Sequence, residues 1–110
     1  MRVRLIKRKT IENFVSQYAN GKSAFRQWIY TIKMADWNEP GDISETFRSA
    51  DLLGNGSNRV VFDIAGNNFR MICKYHFGEK QIDLYVKWIG THAEYSKICN
   101  NNKQYTITDF

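Results

Sequence analysis

Cysteine is scarce in this 110-residue chain, limited to Cys73 and Cys99, and the two form no Cys-x-x-Cys pair. A disulfide framework and a zinc knuckle are thereby excluded, and reduced thiols in a cytoplasm are expected. No apolar run approaches the length of a membrane span, and no apolar stretch follows the basic segment Met1 to Thr10, so neither membrane insertion nor export is expected. Serine, cysteine and aspartate nucleophile motifs, phosphate-cradling glycine loops and paired catalytic carboxylates are all missing. His76, His92, Cys73 and Cys99 have no recognised ligand spacing, so no metal and no cofactor are expected.

What is present is enough apolar material for a folded core. Hydrophobic residues make up 43% of the chain and aromatics 15%, which sets it apart from compositions that stay disordered. The length fits one domain over residues 1–110. A net charge of +5 favours an anionic partner such as nucleic acid or an acidic protein. Solvated lysines alone would give the same charge.

The segment before Thr10 reads as a short strand. Thr10 is then a cap for a helix to about Ala19, with Ile11, Phe14, Val15 and Tyr18 on one stripe. Ser23 caps a second helix to about Ala35 through Phe25, Trp28, Ile29 and Ile32, and the two helices are expected to form a hairpin. Trp37 to Gly41, which holds the one proline, breaks the pattern, and Asp42 with Glu45 resembles a capping box for a short turn. From Arg59 the period becomes two: 59–64, 69–77 and 81–89 alternate apolar and polar residues between turns at 65–68 and 78–80, an antiparallel meander. Thr91 with Glu94 is a capping box that opens a last helix. The polar tail, about 100–110, is expected to be loose, with Tyr105, Ile107 and Phe110 as its only docking residues. The expected fold is α+β: an antiparallel sheet of three to four strands covered on one face by the N-terminal helical hairpin.

Covering one face leaves the other free. In the alternation that free face carries Arg59, Asp63, Arg70, Lys74, His76, Asp83, Tyr85 and Lys87, cations for phosphates with an aromatic stacking platform among them. It reads equally as a solvated face with cross-strand ion pairs such as Lys74 with Asp83. As an outward arginine on a central strand, Arg70 is expected to contribute little to stability. His92 and Tyr95 stand one turn apart on the last helix and can address one site. Metal-free RNA cleavage by internal attack needs a proton removed, a proton supplied and phosphorane charge neutralised, tasks for imidazole, phenol and a cation. The bland alternatives are a surface histidine beside a cap and a tyrosine in the core.

Five segments carry a resemblance: Ala35-Asp36-Trp37 with Pro40 and Asp42; Ser49-Ala50-Asp51; Asn58 to Ile64; Gly66-Asn67-Asn68-Phe69-Arg70; and Ile89-Gly90-Thr91-His92-Ala93-Glu94-Tyr95. In these the chain resembles the HigB toxin family of type II toxin–antitoxin systems, within the RelE-like group of mRNA-cleaving toxins. The resemblance implies a compact α/β toxin that cleaves messenger RNA on the ribosome without metal or nucleotide. It also implies a helix-turn-helix, HigA-like antitoxin as partner, with operator DNA contacted only through the antitoxin complex. By position it carries over Arg70, His92 and Tyr95 as catalytic residues. Lys74 joins them from the face argument, and Arg59, Asn67, His76, Tyr85 and Lys87 are the expected RNA contacts. Phe69, Lys87 and Ser96 depart from the family pattern, which commonly has tyrosine, arginine and aspartate there; lysine at 87 lacks the bidentate fork. Two rivals remain: a catalytically silent module that binds its antitoxin with DNA or the ribosome, and a general RNA-binding domain.

Overall fold

A computed structural model describes residues 1–110. Strand β1 (Arg2–Ile6) leads into α1 (Arg8–Gln17) and, through a 3-10 turn at Ala19–Gly21, into α2 (Lys22–Met34). The short α3 (Gly41–Thr46) and β2 (Asp51–Leu53) follow, then β3 (Arg59–Ile64), β4 (Phe69–Phe77), β5 (Gln81–Thr91), α4 (His92–Asn100) and a second 3-10 turn at Lys103–Tyr105. No helix is long and apolar enough to cross a membrane.

The sheet has five strands in the order β1-β5-β4-β3-β2, one more than the three to four expected. The meander β3-β4-β5 is antiparallel, as the alternation predicts. The additional strands come from its edges. Asp51–Leu53 pairs antiparallel with β3, and β1 returns to pair parallel with β5, from Arg2 opposite Gln81 to Ile6 opposite Tyr85. Parallel pairing makes the sheet mixed, a long-range choice that local periodicity does not encode.

Helices α1 and α2 lie on one face and deliver Ile11, Phe25, Trp28 and Ile32 to a core shared with Val60, Phe62, Met71, Cys73, Ile82 and Leu84. Phe69 anchors the end of this core, meeting Phe14 and Tyr18 edge-on at 5.6 Å between ring centroids. Three expected caps do not form. Helix α2 already begins at Lys22, after Gly21 and with no side-chain cap, so Ser23 lies inside it. Because β1 pairs with β5 up to Ile6, the chain turns into α1 at once through Lys7, held at φ 64°, and Thr10 lies inside the helix. Asp42 accepts from the backbone N–H groups of Asn38 (2.8 Å) and Glu39 (3.2 Å), bracing the upstream loop in place of a box with Glu45.

A β-bulge changes the faces of β5. Ile72 pairs with Trp88 while Cys73 pairs with Val86, leaving Lys87 as the extra residue. Since side chains alternate with period two, one inserted residue reverses every face beyond it. Trp88, expected beside Ile82, Leu84 and Val86, therefore points to the second face, and Ile89 joins the main core.

That second face is not free. Val61, Ile72 and Trp88 form a buried apolar band across it, covered by Leu53, Tyr95, Ile98 and Ile107. Helix α4, the C-terminal tail and the end of β2 supply that cover. The tail is docked, not loose: Gln104 is buried, and Asp109 N–H donates to the carbonyl of Lys87 at 2.9 Å.

Candidate active site

The turn between β3 and β4 builds one corner of the second face. Ala65 and Gly66 both take positive φ (56° and 66°), folding the strands back so that Asp63 opposes Arg70. Arg70 Nε lies 3.0 Å from Asp63 Oδ1, Nη1 donates to the carbonyl of Phe69 at 3.1 Å, and Nη2 donates to Asn67 Oδ1 at 3.1 Å. The side chain is 9% exposed. The ion pair and the two hydrogen bonds fix the guanidinium plane, and each terminal nitrogen keeps one N–H without a partner in the chain. A hollow of about 280 Å³ lined by Ser49, Asp63, Gly66 and Asn67 opens beside it.

The end of β5 brings α4 to the same corner. Gly90 pairs with Arg70 and Thr91 with Phe69, and the His92 N–H donates to the carbonyl of Asn68 at 3.2 Å. The expected capping box is complete: Glu94 N–H donates to Thr91 Oγ1 at 3.2 Å, and Thr91 N–H donates to Glu94 Oε1 at 2.8 Å. It sets the first turn of α4, with His92 exposed at the helix start, where the backbone dipole favours negative charge. Gly90 suits this close approach, because a Cβ would come within 2.4 Å of the Trp88 ring and force it to shift.

Tyr95, one turn on, packs its ring against Trp88 with centroids 6.1 Å apart. Burial, helped by the neighbouring Cys99 and by Asp51, pushes its pKa well above the ordinary phenol range, against the opposing charge of Arg70. Tyr95 thus packs against the apolar band as a protonated phenol near the guanidinium.

Arg70, Asn67, His92 and Tyr95 therefore share one end of the face. Lys74 does not join them. It lies four residues along β4, roughly 13 Å at the strand rise, on the far side of the apolar band. Lys74 pairs with Arg59 on one side and Tyr85 on the other, and His76, exposed, lies still farther along opposite Asp83. The basic face expected from the alternation is two patches, with apolar residues between them. Lys87 belongs to the second patch, its Nζ 5.6 Å from the Tyr85 ring centroid. Its pKa is lowered by burial and by the cations Arg59, Lys7 and Lys74. Arg59, expected to be open, is 5% exposed beneath the tail, which desolvates the guanidinium and lowers its pKa.

Two residues of the Arg70 corner were not singled out as site residues from sequence: Asp63, the partner that aims Arg70, and Ser49. The signal for Asp63 was available, since a hairpin closed by Ile64 and Phe69 pairs 63 with 70. Ser49 comes from a distant loop, and its one signal was its place in the Ser49-Ala50-Asp51 segment of the family resemblance. No group of three or more histidine, cysteine, aspartate or glutamate side chains gathers into a metal-binding cluster.

Residues 21–98, which hold this whole corner, match the family model HigB_toxin, described as the RelE-like toxic component of a toxin-antitoxin system. The chain is also 30% identical over 94 residues to the mRNA interferase HigB of Escherichia coli O6:H1, covering 86% of this chain and 89% of that protein. A match of that extent makes this chain a member of the RelE-like HigB toxin family.

Proposed function

We propose that this toxin is a ribosome-dependent endoribonuclease that cuts messenger RNA during translation and so arrests growth. One observation carries the reading: a guanidinium aimed by Asp63 and Asn67 stands at the corner where His92 starts a helix. The relative's name, mRNA interferase, supports RNA as the substrate.

In the proposed reaction the 2′-hydroxyl attacks the adjacent phosphorus. The 2′-O–P bond forms, the P–O5′ bond breaks, and the products are a 2′,3′-cyclic phosphate and a 5′-hydroxyl. The two uncommitted N–H groups of Arg70 neutralise the phosphorane, where preorganised donors act most strongly. His92 takes the proton from the 2′-hydroxyl or gives one to the leaving 5′-oxygen, and water completes the other transfer, so that one proton leaves O2′ and one arrives at O5′. Tyr95, held in its protonated form, donates a hydrogen bond and orients the phosphate. The steps run on side chains and water, without metal. Lys74, Lys87, Tyr85 and His76 contact RNA away from the scissile bond, Asn67 acts through Arg70, and Arg59 lies beneath the tail. The partners in this reading are a helix-turn-helix antitoxin, the ribosome, and operator DNA through the antitoxin complex, all in the cytoplasm.

The low exposure of Arg70 favours one rival, a catalytically silent module in which that arginine only braces the turn. Mapping transcript ends after induction separates the two. Cuts in frame within translated regions support the enzyme; intact transcripts with arrested growth support the silent module.

A further inference from the structure

The C-terminal segment lies outside residues 21–98, the part that matches the family, yet it is fastened at several points. Arg59 Nη1 donates to the carbonyls of Ile107 (2.7 Å) and Gln104 (3.3 Å), and Nη2 donates to Thr108 Oγ1 at 3.4 Å. Ile107 packs on the band of Val61, Ile72 and Trp88, and Asp109 is tied to the backbone of Lys87.

The charges beneath and beside this strap have no ion-pair partner. Arg59, Lys7 and Lys74 all lie near enough to Lys87 to lower its pKa, yet none of the four has a carboxylate within 4.0 Å; the ion pairs of the molecule involve Met1, Arg4, Arg8 and Arg70. The only groups on Arg59 are neutral oxygens. A guanidinium fork suits the oxygens of a phosphodiester equally well in geometry, and charge assistance makes that bond roughly twice as strong. Neutral acceptors therefore hold a place that a polyanion fills better.

We infer that this patch is a binding surface for the backbone of single-stranded RNA, separate from the Arg70 corner, and that the strap at residues 104–109 competes with RNA for it. The ligand rests on the RNA-cutting reading above; the competition rests on the contacts of Arg59. Displacing the strap frees Arg59 to join Lys74 and Lys87 along the backbone, with Tyr85 as a stacking surface.

The test uses full-length variants and a 2′-O-methylated single-stranded oligonucleotide, which lacks the attacking hydroxyl and stays intact. Ile107→Ser removes the strap's apolar anchor and should tighten binding several-fold, with a steeper dependence of log affinity on log salt. Adding Arg59→Ala to Ile107→Ser should cancel that gain. Thr108→Asp places a carboxylate on Arg59 and should weaken binding by roughly tenfold, well beyond Thr106→Asp, which adds the same charge elsewhere on the strap. Unchanged or weaker binding by a folded Ile107→Ser overturns the inference. If that variant does not fold, equal losses in Thr108→Asp and Thr106→Asp overturn it. Should the wild type still cut translated transcripts, the competing strap falls alone. If transcripts stay intact and no variant binds the oligonucleotide, the RNA-cutting reading falls with it.

Discussion

Asp63 and Arg70 face each other across the Ala65–Asn68 turn, with Oδ1 3.0 Å from Nε, so the arginine proposed to meet the scissile phosphate also closes the hairpin that carries it. The outward, weakly stabilising arginine expected from the alternation is instead one of the few buried charged side chains.

Removing Arg70 should therefore have two effects. Arg70→Ala abolishes cleavage, and it also lowers stability by about 1–3 kcal/mol because the Asp63 carboxylate and the Phe69 carbonyl lose their donor. Arg70→Lys keeps the charge without the fork and should recover more stability than activity. Urea unfolding beside single-turnover cleavage on programmed ribosomes checks both. Full activity in either variant would make Arg70 purely structural.

At His92 the two effects should separate. The imidazole is exposed and makes no hydrogen bond within the chain, so His92→Ala should change stability by less than about 0.5 kcal/mol. As the proposed proton carrier, its loss should slow single-turnover cleavage by roughly 10²–10⁴-fold. A change of only a few-fold would return His92 to the surface decoration that spacing alone also allows.

Gly90→Ala tests the packing that supports the corner. The added methyl meets the Trp88 ring, whose displacement disturbs the contact with Tyr95. Overpacking of this kind costs about 1–3 kcal/mol. The melting temperature should fall and tryptophan fluorescence should shift. An unchanged spectrum would show that Trp88 moves aside freely.

Alkaline pH should destabilise the fold. Burial raises Cys73 above its ordinary 9.0, and Tyr95 and Tyr75 above 10.0, so the folded state retains protons that the unfolded chain gives up. The stability that the neutral groups contribute is fully present below those ordinary values and drains as pH rises past them toward the folded values. Urea unfolding between pH 8 and pH 11 should show the decline, and Tyr95→Phe should make it shallower. A slope unchanged by Tyr95→Phe would remove Tyr95 as a source.

The amino-acid sequence determined the local elements of this protein and part of its site. The meander strands follow from strict alternation, the start of α4 from the Thr91 and Glu94 pair, and the helix stripes from Phe25, Trp28 and Ile32, because each of these signals acts within a turn or two of chain. The family block from Ile89 to Tyr95 pointed to His92, and the block from Gly66 to Arg70 pointed to Arg70. Tertiary structure decided the rest. The parallel docking of β1 and the pairing of β2 depend on partners far away in sequence. The Lys87 bulge is invisible to a period-two reading, yet it sends Trp88 to the second face and creates the apolar band. That band, covered by α4 and the tail, splits the expected basic surface, leaves Arg70 with His92 and Tyr95 at one end, and gathers Lys74, Lys87 and Arg59 at the other. Which cations share a site depends on what must be buried between them, and burial is a property of the assembled layers, not of any one strand.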